Sequence, residues 1–422
     1  MEKAFLSEII EEQAEILESA NAGYRRHALQ ELQAAIKSPQ IVVITGMRRC
    51  GKSTLLRQIL KSRFDKKAFY FSFEDERLLH FTVDDFNLLY EALIEFYGEQ
   101  STFFLDEIQN IEHWELFVRR LHDRGMKIFI TGSNATLLSQ EFSTRLTGRT
   151  VPYALYPFSF NEFIEFTMPE LKNKFPTTAV SRGLFSKAFT HYIKLGGVPL
   201  YVINQERFFL TQLYEDILYR DIISRYKIND EKSIRELSLH LISHVSSLYT
   251  YSKLKNMLHL GSMNTVKNYI QYLENSYLYF SIQRFSYSLK QQHLAPKKIY
   301  CIDTALIDIL SFKFSENLGH LLENIVFVEL KRRQQEIYYY HTKTGLEVDF
   351  IIRSGAKITG LIQVCASLDN KETQTREVNA LLQAMNETGL SHGIILTKDG
   401  SKTINEKGKT IQVMPIYQWL LK

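Results

Sequence analysis

Residues 41–54, "IVVITGMRRCGKST", are a short apolar run, a glycine, four residues and then Gly-Lys-Ser, and the helical stretch "TLLRQILKS" follows. Strand, glycine-bounded turn and helix in that order are the context a phosphate-binding loop requires. Gly46 and Gly51 free the backbone N–H groups of Met47, Arg48, Arg49 and Cys50 to wrap phosphate oxygens. The start of the helix, which Thr54 completes, adds its positive end. Lys52 would reach the β- and γ-phosphates, and the Ser53 hydroxyl would bind Mg²⁺.

Downstream, "STFFLDEIQN" (101–110) delivers Asp106 and Glu107 at the end of a buried strand. Asp106 is expected to hold the Mg²⁺ water shell and Glu107 to polarise an attacking water. A water-activating carboxylate favours hydrolysis over transfer to a small-molecule acceptor. "KIFITGSNATLL" (127–138) follows, with Ser133 and Asn134 placed to touch a γ-phosphate if their strand lies between the other two. Arg149 of "RLTGR" is a candidate for the arginine that stabilises transferring phosphate, in cis or from a neighbouring subunit, with Arg145 the weaker candidate.

The remainder of the chain bounds this reading. Its 422 residues suit two or three domains, and 45% apolar with 23% charged residues is the composition of a folded protein. The N-terminal "MEKAFLSEIIEEQAEILESA" is acidic and helical in period, unlike a secretory leader, and no apolar run is long enough to cross a bilayer. Cys50, Cys301 and Cys365 are scattered and odd in number, which fits reduced thiols in a cytoplasmic protein and no disulfide framework. Between residues 41 and 156 the strands "IVVIT", "AFYFSF", "TFFLDE", "KIFITG" and "VPYALY" alternate with helical stretches, which predicts an α/β unit with a parallel sheet. Residues 158–235 read as helical, broken at "KLGGVPLYV", and residues 236–303 as helices followed by a strand pair. From about 318 a long helix leads into "IYYYHT", "LEVDFII", "ITGLIQVCAS", a helix, "GIILTK" and "IQVMPI", a second α/β unit.

The succession "ITGMRRCGKST", "FFLDEIQN", "ITGSNATLLS", "LTGR" and "YPFSFNEFIEF" resembles the AAA+-type ATPases of bacteria and archaea that carry a C-terminal nuclease-like domain of unknown function. "YIKLGGVPLYV", "NTVKNYIQYLENSYL", "KKIYCIDTAL", "LLENIVFVELKRR" and "LEVDFII" extend the resemblance over nearly the whole chain. It implies the Ser133 strand between the P-loop and Asp106 strands, a central winged helix, and a restriction-endonuclease-like fold at the end. The corresponding parts are residues 1–157 for the ATPase domain with its N-terminal helices, 158–235 for a helical lid or linker, 236–312 for the winged helix and 313–422 for the endonuclease-like domain.

Residues 246–300 carry seven basic side chains against one acid, Glu274. On the second helix there, Val266, Ile270 and Leu273 are expected inward, and Asn264, Lys267, Asn268 and Gln271 outward, as a recognition helix for double-stranded DNA needs. Winged helices also make protein contacts, so a protein client is the other reading. In the C-terminal unit the nuclease reading puts Glu323 on the first helix, Asp349 at the end of "GLEVD" with Glu347 on the same face, and Gln363 and Cys365 on the next strand. Mg²⁺-dependent cleavage wants carboxylates and a lysine. Gln363 stands where an acid is usual and Cys365 where the lysine is usual, so a degenerate site is expected unless Lys331 or Lys343 substitutes. Together these features predict a cytoplasmic homo-oligomeric protein that binds and hydrolyses ATP with Mg²⁺ and uses the cycle to drive or switch contacts with DNA or a protein client. The rivals are an ATP-gated nuclease and a nucleotide-holding switch without turnover.

Overall fold

A computed structural model of the protein describes residues 1–21, 23–64, 67–138, 146, 148–311 and 318–422. Arg145 lies outside the described residues. The chain forms two compact units, residues 1–156 with 275–277 and residues 157–274 with 278–422. The parts expected at 158–235, 236–312 and 313–422 fall in the second, apart from 275–277.

The first unit is built on five strands, β1 (Ile41–Thr45), β2 (Phe69–Ser72), β3 (Thr102–Asp106), β4 (Lys127–Gly132) and β5 (Thr150–Ala154). They pair in the order β2-β3-β4-β1-β5, all parallel. β4 therefore lies between the strand that ends in the P-loop and the strand that ends in Asp106. β1 and β3 are buried along their whole length, which is why they read as unbroken apolar runs. Helices α1 (Lys3–Ser19), α2 (Lys52–Arg63), α3 (Phe86–Tyr97) and α4 (Trp114–Asp123) belong to the same unit. Leu6, Ile9 and Ile10 of α1 join Phe69, Phe71, Phe103 and Ile130 in one core, so the acidic N-terminal helix buries a full apolar stripe. Tyr277, in left-handed backbone with φ +63°, is buried in this unit and its hydroxyl lies 2.6 Å from Thr45 Oγ1, at the last residue of β1.

In the second unit Ser159 caps the helix Phe160–Thr167: its hydroxyl accepts from Glu162 N, and Glu162 accepts from Ser159 N. Helix α5 (Ala179–Leu195) ends at the "GGVP" turn. There Gly197 N donates to Asp303 Oδ2 at 2.7 Å, and a Cβ on Gly196 would lie 1.9 Å from Asp303 Oδ1. Two motifs far apart in sequence thus form one structural clasp.

Helices α6 (Glu231–Ser243), α7 (Tyr251–Met257) and α8 (Met263–Asn275) accompany strands β6 (Ser247–Tyr249), β7 (Tyr279–Ile282) and β8 (Lys297–Cys301). These form an antiparallel sheet of order β6-β8-β7, three strands where the sequence suggested two. After α9 (Leu318–Arg332) come β9 (Glu336–His341), β10 (Glu347–Ser354), β11 (Lys357–Val364), α10 (Lys371–Thr388), β12 (His392–Thr397), β13 (Lys402–Glu406) and β14 (Lys409–Pro415). The six strands order as β13-β14-β12-β11-β10-β9. β11, β12 and β14 run parallel and the other pairs are antiparallel. Val348, Leu361, Leu381, Met385 and Ile395 pack in its core.

Candidate functional site

The P-loop conformation demands its glycines. Gly46 has φ +154°, and a Cβ there would sit 2.3 Å from the Leu155 carbonyl oxygen. Gly51 has φ +102° at the entry to α2. Lys52 is 4% exposed and folds back into the loop. Its ammonium donates to the carbonyls of Gly46 at 3.2 Å and Met47 at 3.3 Å and lies 3.1 Å from Glu107 Oε1. Burial works against this charge, but Glu107, Cys50 and Asp106 together outweigh it and the Lys52 pKa is raised.

The carboxylates at the end of β3 are held by β4. Thr131 donates to Asp106 Oδ1 and accepts from Glu107 N at 2.9 Å. Tyr70 of β2 donates to Asp106 Oδ2 at 3.4 Å, and Ser53 hydrogen-bonds the same carboxylate. Burial, then the adjacent Glu107 charge, pushes Asp106 upward, whereas Lys52 and Gln109 draw Glu107 down against its burial. Glu107 is in left-handed backbone (φ +51°), a conformation rare for a large side chain. Its Oε2 accepts from Gln109 Nε2 at 2.5 Å and from Ser133 N at 3.2 Å. Asn134 is buried nearby in sequence and its Oδ1 caps Thr136 N at 2.8 Å. Arg48 pairs with Glu74 at 2.7 Å.

Three participants escape a sequence reading. Gln109 orients Glu107, and Thr131 ties Asp106 to its neighbour. Arg26 is the third: 3% exposed, it donates from one Nη to the Cys50 carbonyl and from the other to the Tyr156 carbonyl, each at 2.7 Å. It clamps the P-loop to the chain leaving β5. A basic run before the first strand marks the segment, but no spacing rule assigns that role to Arg26.

Arg149 lies elsewhere. Its carbonyl accepts from Ile41 N at 2.7 Å, so it stands where β1 begins, while the P-loop follows Thr45 where β1 ends. The length of β1 separates the two, about 13 Å at roughly 3.3 Å per residue. Its guanidinium pairs with Asp123 Oδ1 at 3.2 Å and is part-exposed. Within its own chain Arg149 thus stands at the opposite end of β1 from the P-loop.

In the second unit, Asn264, Lys267, Asn268 and Gln271 of α8 are exposed and Val266, Ile270 and Leu273 buried. Lys267 and Lys297 both lie over the Tyr251 ring, at 5.5 and 5.3 Å from its centre. Of the seven basic residues, Lys298 is buried, at 3% exposed.

Lys298 enters a cavity of about 850 Å³ lined by Glu323, Glu347, Asp349, Gln363, Cys365 and Arg376 among others. Its ammonium lies 2.7 Å from Glu323, 2.7 Å from Glu347 and 3.1 Å from Asp349. The carboxylates expected around a metal ion therefore surround a lysine. Among the described residues no group of three His, Cys, Asp or Glu side chains is arranged to hold a metal. Gln363 is committed as well: its oxygen accepts from Asp349 N at 3.3 Å and its amide donates to Glu377 at 2.6 Å. Burial pushes the Cys365 thiol up to about 12. Neither Lys331 nor Lys343 lines the cavity. Burial lowers the pKa of Lys331 against the opposing charge of Glu274, and the backbone N–H of Lys343 donates to Glu387.

Residues 38–164 match the AAA domain family, residues 160–317 a domain of unknown function (DUF8612) and residues 318–419 another (DUF4143). The uncharacterized protein MJ1544 of Methanocaldococcus jannaschii is 33% identical, over 99% of this chain and 96% of its own. An uncharacterized protein of Haemophilus influenzae is 30% identical, over 94% of this chain and 98% of its own. Among solved structures, AMPPCP-bound DnaA from Aquifex aeolicus is similar at 16% identity over 61% of this chain and 90% of that one, with a TM-score of 0.26 that is too low to transfer anything. No helix among the described residues is long and apolar enough to cross a membrane. With an AAA domain and end-to-end identity to the Methanocaldococcus jannaschii protein, the chain belongs to the family of MJ1544.

Proposed function

We propose that the protein is an oligomeric ATPase whose nucleotide cycle drives or switches contacts with DNA or a protein client. The observation that carries the reading is the 3.1 Å pair between Lys52 and Glu107, which joins the phosphate-binding cation to the carboxylate suited to activate water. ATP entering the P-loop supplies a stronger anion for Lys52, which leaves Glu107 to Gln109 and the Ser133 N–H. Freed there, Glu107 accepts a proton from water as its oxygen bonds to the γ-phosphorus, and the bond to the β-phosphate oxygen breaks to release ADP. Asp106 and the Ser53 hydroxyl, both hard oxygen donors, fit Mg²⁺, which when bound offsets the charge of the β- and γ-phosphates.

Arg149 completes the site of a neighbouring subunit in this reading, since its own site is out of reach. The succession α6-β6-α7-α8-β7, a short helix at Leu289–Leu294, then β8 supports the winged-helix reading. The exposed polar side chains of α8 beside Lys253, Lys255 and Lys297 favour duplex DNA as the partner. A protein client is the alternative that the same surface allows. Lys298 brings a lysine to the C-terminal carboxylates, but Gln363, whose oxygen and amide are committed to Asp349 N and Glu377, weighs against an ATP-gated nuclease. Steady-state ATP turnover at defined oligomer state, with and without single- and double-stranded DNA, tests the proposal. Turnover that depends on Glu107 supports it, and nucleotide retention without turnover would replace it with a binding switch.

A further inference from the structure

Lys52 shares its arrangement with a second P-loop cation. Of the four residues between Gly46 and Gly51, Met47 and Cys50 are buried and Arg49 is exposed. Arg48 is partly buried and donates from Nη1 to Glu74 Oε1 at 2.7 Å. Glu74 follows β2, and β2 is the far edge of the order β2-β3-β4-β1-β5. Three strand spacings separate β2 from the strand that leads into the P-loop, about 14 Å at roughly 4.8 Å each. The pair therefore spans the ends of β4 and β3, where Ser133, Asn134, Asp106 and Glu107 stand.

The carboxylate end of this pair is fixed by the backbone before it. Gln13 of α1 donates to the Ser72 carbonyl at 2.9 Å and accepts from Ser72 N at 2.8 Å. Phe73 N donates to the Asp106 carbonyl at 2.9 Å, and Asn110 donates to the Phe73 carbonyl at 3.0 Å. Glu74 thus leaves the sheet edge from backbone tied to α1 and to the end of the Asp106 strand. Arg48 also acts on Glu107: burial raises that carboxyl, and Lys52, Gln109 and Arg48 draw it down. The Glu74 side chain is 52% exposed, so its hold on the arginine is that of a solvated ion pair, which a stronger anion displaces.

We infer that the Arg48 side chain reads the γ-phosphate: when a nucleoside triphosphate binds, its guanidinium leaves Glu74 for the terminal phosphate, and with a diphosphate it stays on Glu74. This role rests on the nucleotide-binding half of the reading above. A γ-phosphate lies beyond the β-phosphate held by Lys52 and the loop N–H groups, toward the base suited to activate water. Arg48 extends to that side. The γ-phosphate presents paired oxygens that match a guanidinium fork, and a diphosphate ends before that point. The guanidinium stays protonated and moves no proton, so its part is recognition. Unlike Arg149, Arg48 belongs to the loop it serves, and this recognition needs no second subunit.

The test is isothermal titration of the full-length protein with ADP and with the non-hydrolysable triphosphate AMPPCP, each with Mg²⁺. Arg48→Ala is expected to weaken AMPPCP binding about tenfold or more and to change ADP binding by no more than about twofold, because charge-assisted hydrogen bonds are lost from one ligand only. Arg48→Lys, which keeps the charge and loses the fork, should fall between wild type and Arg48→Ala. Glu74→Gln, which removes the competing anion, should tighten AMPPCP by about two- to fivefold and leave ADP unchanged. Should Arg48→Ala prove unstable, Arg48→Gln carries the same comparison. An AMPPCP-to-ADP affinity ratio in folded Arg48→Ala or Arg48→Gln equal to that of wild type overturns the inference. Phosphate release by wild type and Glu107→Gln is read beside it. Absence of Glu107-dependent turnover defeats the ATPase reading, while the affinity ratio still decides the role of Arg48.

Discussion

Lys52 Nζ and Glu107 Oε1 lie 3.1 Å apart, so the cation suited to bind phosphate and the base suited to activate water neutralise each other across the ends of β1 and β3. Each removal should therefore act differently. Lys52→Ala should abolish tight nucleotide binding. Glu107→Gln should bind ATP at least as well as wild type, because its lysine is released, while phosphate release falls by roughly two to four orders of magnitude. Titration of a fluorescent ATP analogue and a phosphate-release assay separate the two. Equal rates in wild type and Glu107→Gln would sink the assignment.

Arg149 sits an entire strand away from its own P-loop. Specific activity should rise with protein concentration as subunits assemble, and Arg149→Ala should cost about 10³-fold in turnover. A mixture of Arg149→Ala and Lys52→Ala should recover activity that neither has alone, since one interface then joins an intact lysine to an intact arginine. No recovery from folded, assembled mixtures would leave Arg149 as the partner of Asp123 and nothing more.

If α8 faces duplex DNA, binding should weaken steeply with salt, and Lys267→Glu should lower affinity and reduce the salt slope by about 1 or more. Basal ATP turnover should be unchanged. Fluorescence anisotropy at several salt concentrations reads both quantities, and an unaltered affinity would turn the surface over to a protein client.

Purified protein should not cleave DNA with Mg²⁺ or Mn²⁺, with or without ATP. Lys298 already engages the carboxylates, Gln363 spends its oxygen on the Asp349 N–H, and the Cys365 thiol is neutral. Cleavage that disappears in Asp349→Ala would reverse this reading.

The cavity should also shape the pH dependence of stability. Burial raises Glu323 to about 8 despite the lysine beside it, so its contribution is complete below the unfolded value and is lost as pH rises toward 8. Glu347, lowered to about 2 by His341 and Lys298 against its burial, contributes above its unfolded value and loses that as pH falls toward 2. Melting curves from pH 3 to 9 should show Glu323→Gln gaining on wild type along the alkaline side and Glu347→Gln losing its acid-side dependence. Parallel curves for wild type and both variants would contradict these shifts.

Long or punctuated features were readable from the sequence. The parallel strands of the first unit appear as apolar runs because both their faces are covered, and the glycines at 46 and 51 mark backbone that few other residues adopt. β6 is three residues long and β13 almost wholly exposed, so neither leaves a periodic trace. The charge of Lys298 reads as surface because composition cannot distinguish a solvated ammonium from one enclosed by carboxylates contributed 25, 49 and 51 residues later. Gln109 and Arg26 act through contacts set by the tertiary fold, where spacing along the chain has no bearing.

Tyr277 has a consequence for how the first unit is made. Its ring fills space in that unit and its hydroxyl meets Thr45 at the root of the P-loop, yet it leaves the ribosome long after Tyr156. A nascent chain that has emerged only through β5 lacks this piece, and so does a recombinant fragment cut at residue 156. The P-loop strand should reach its final rigidity late in translation, and nucleotide capture by the growing chain should trail the appearance of the P-loop itself.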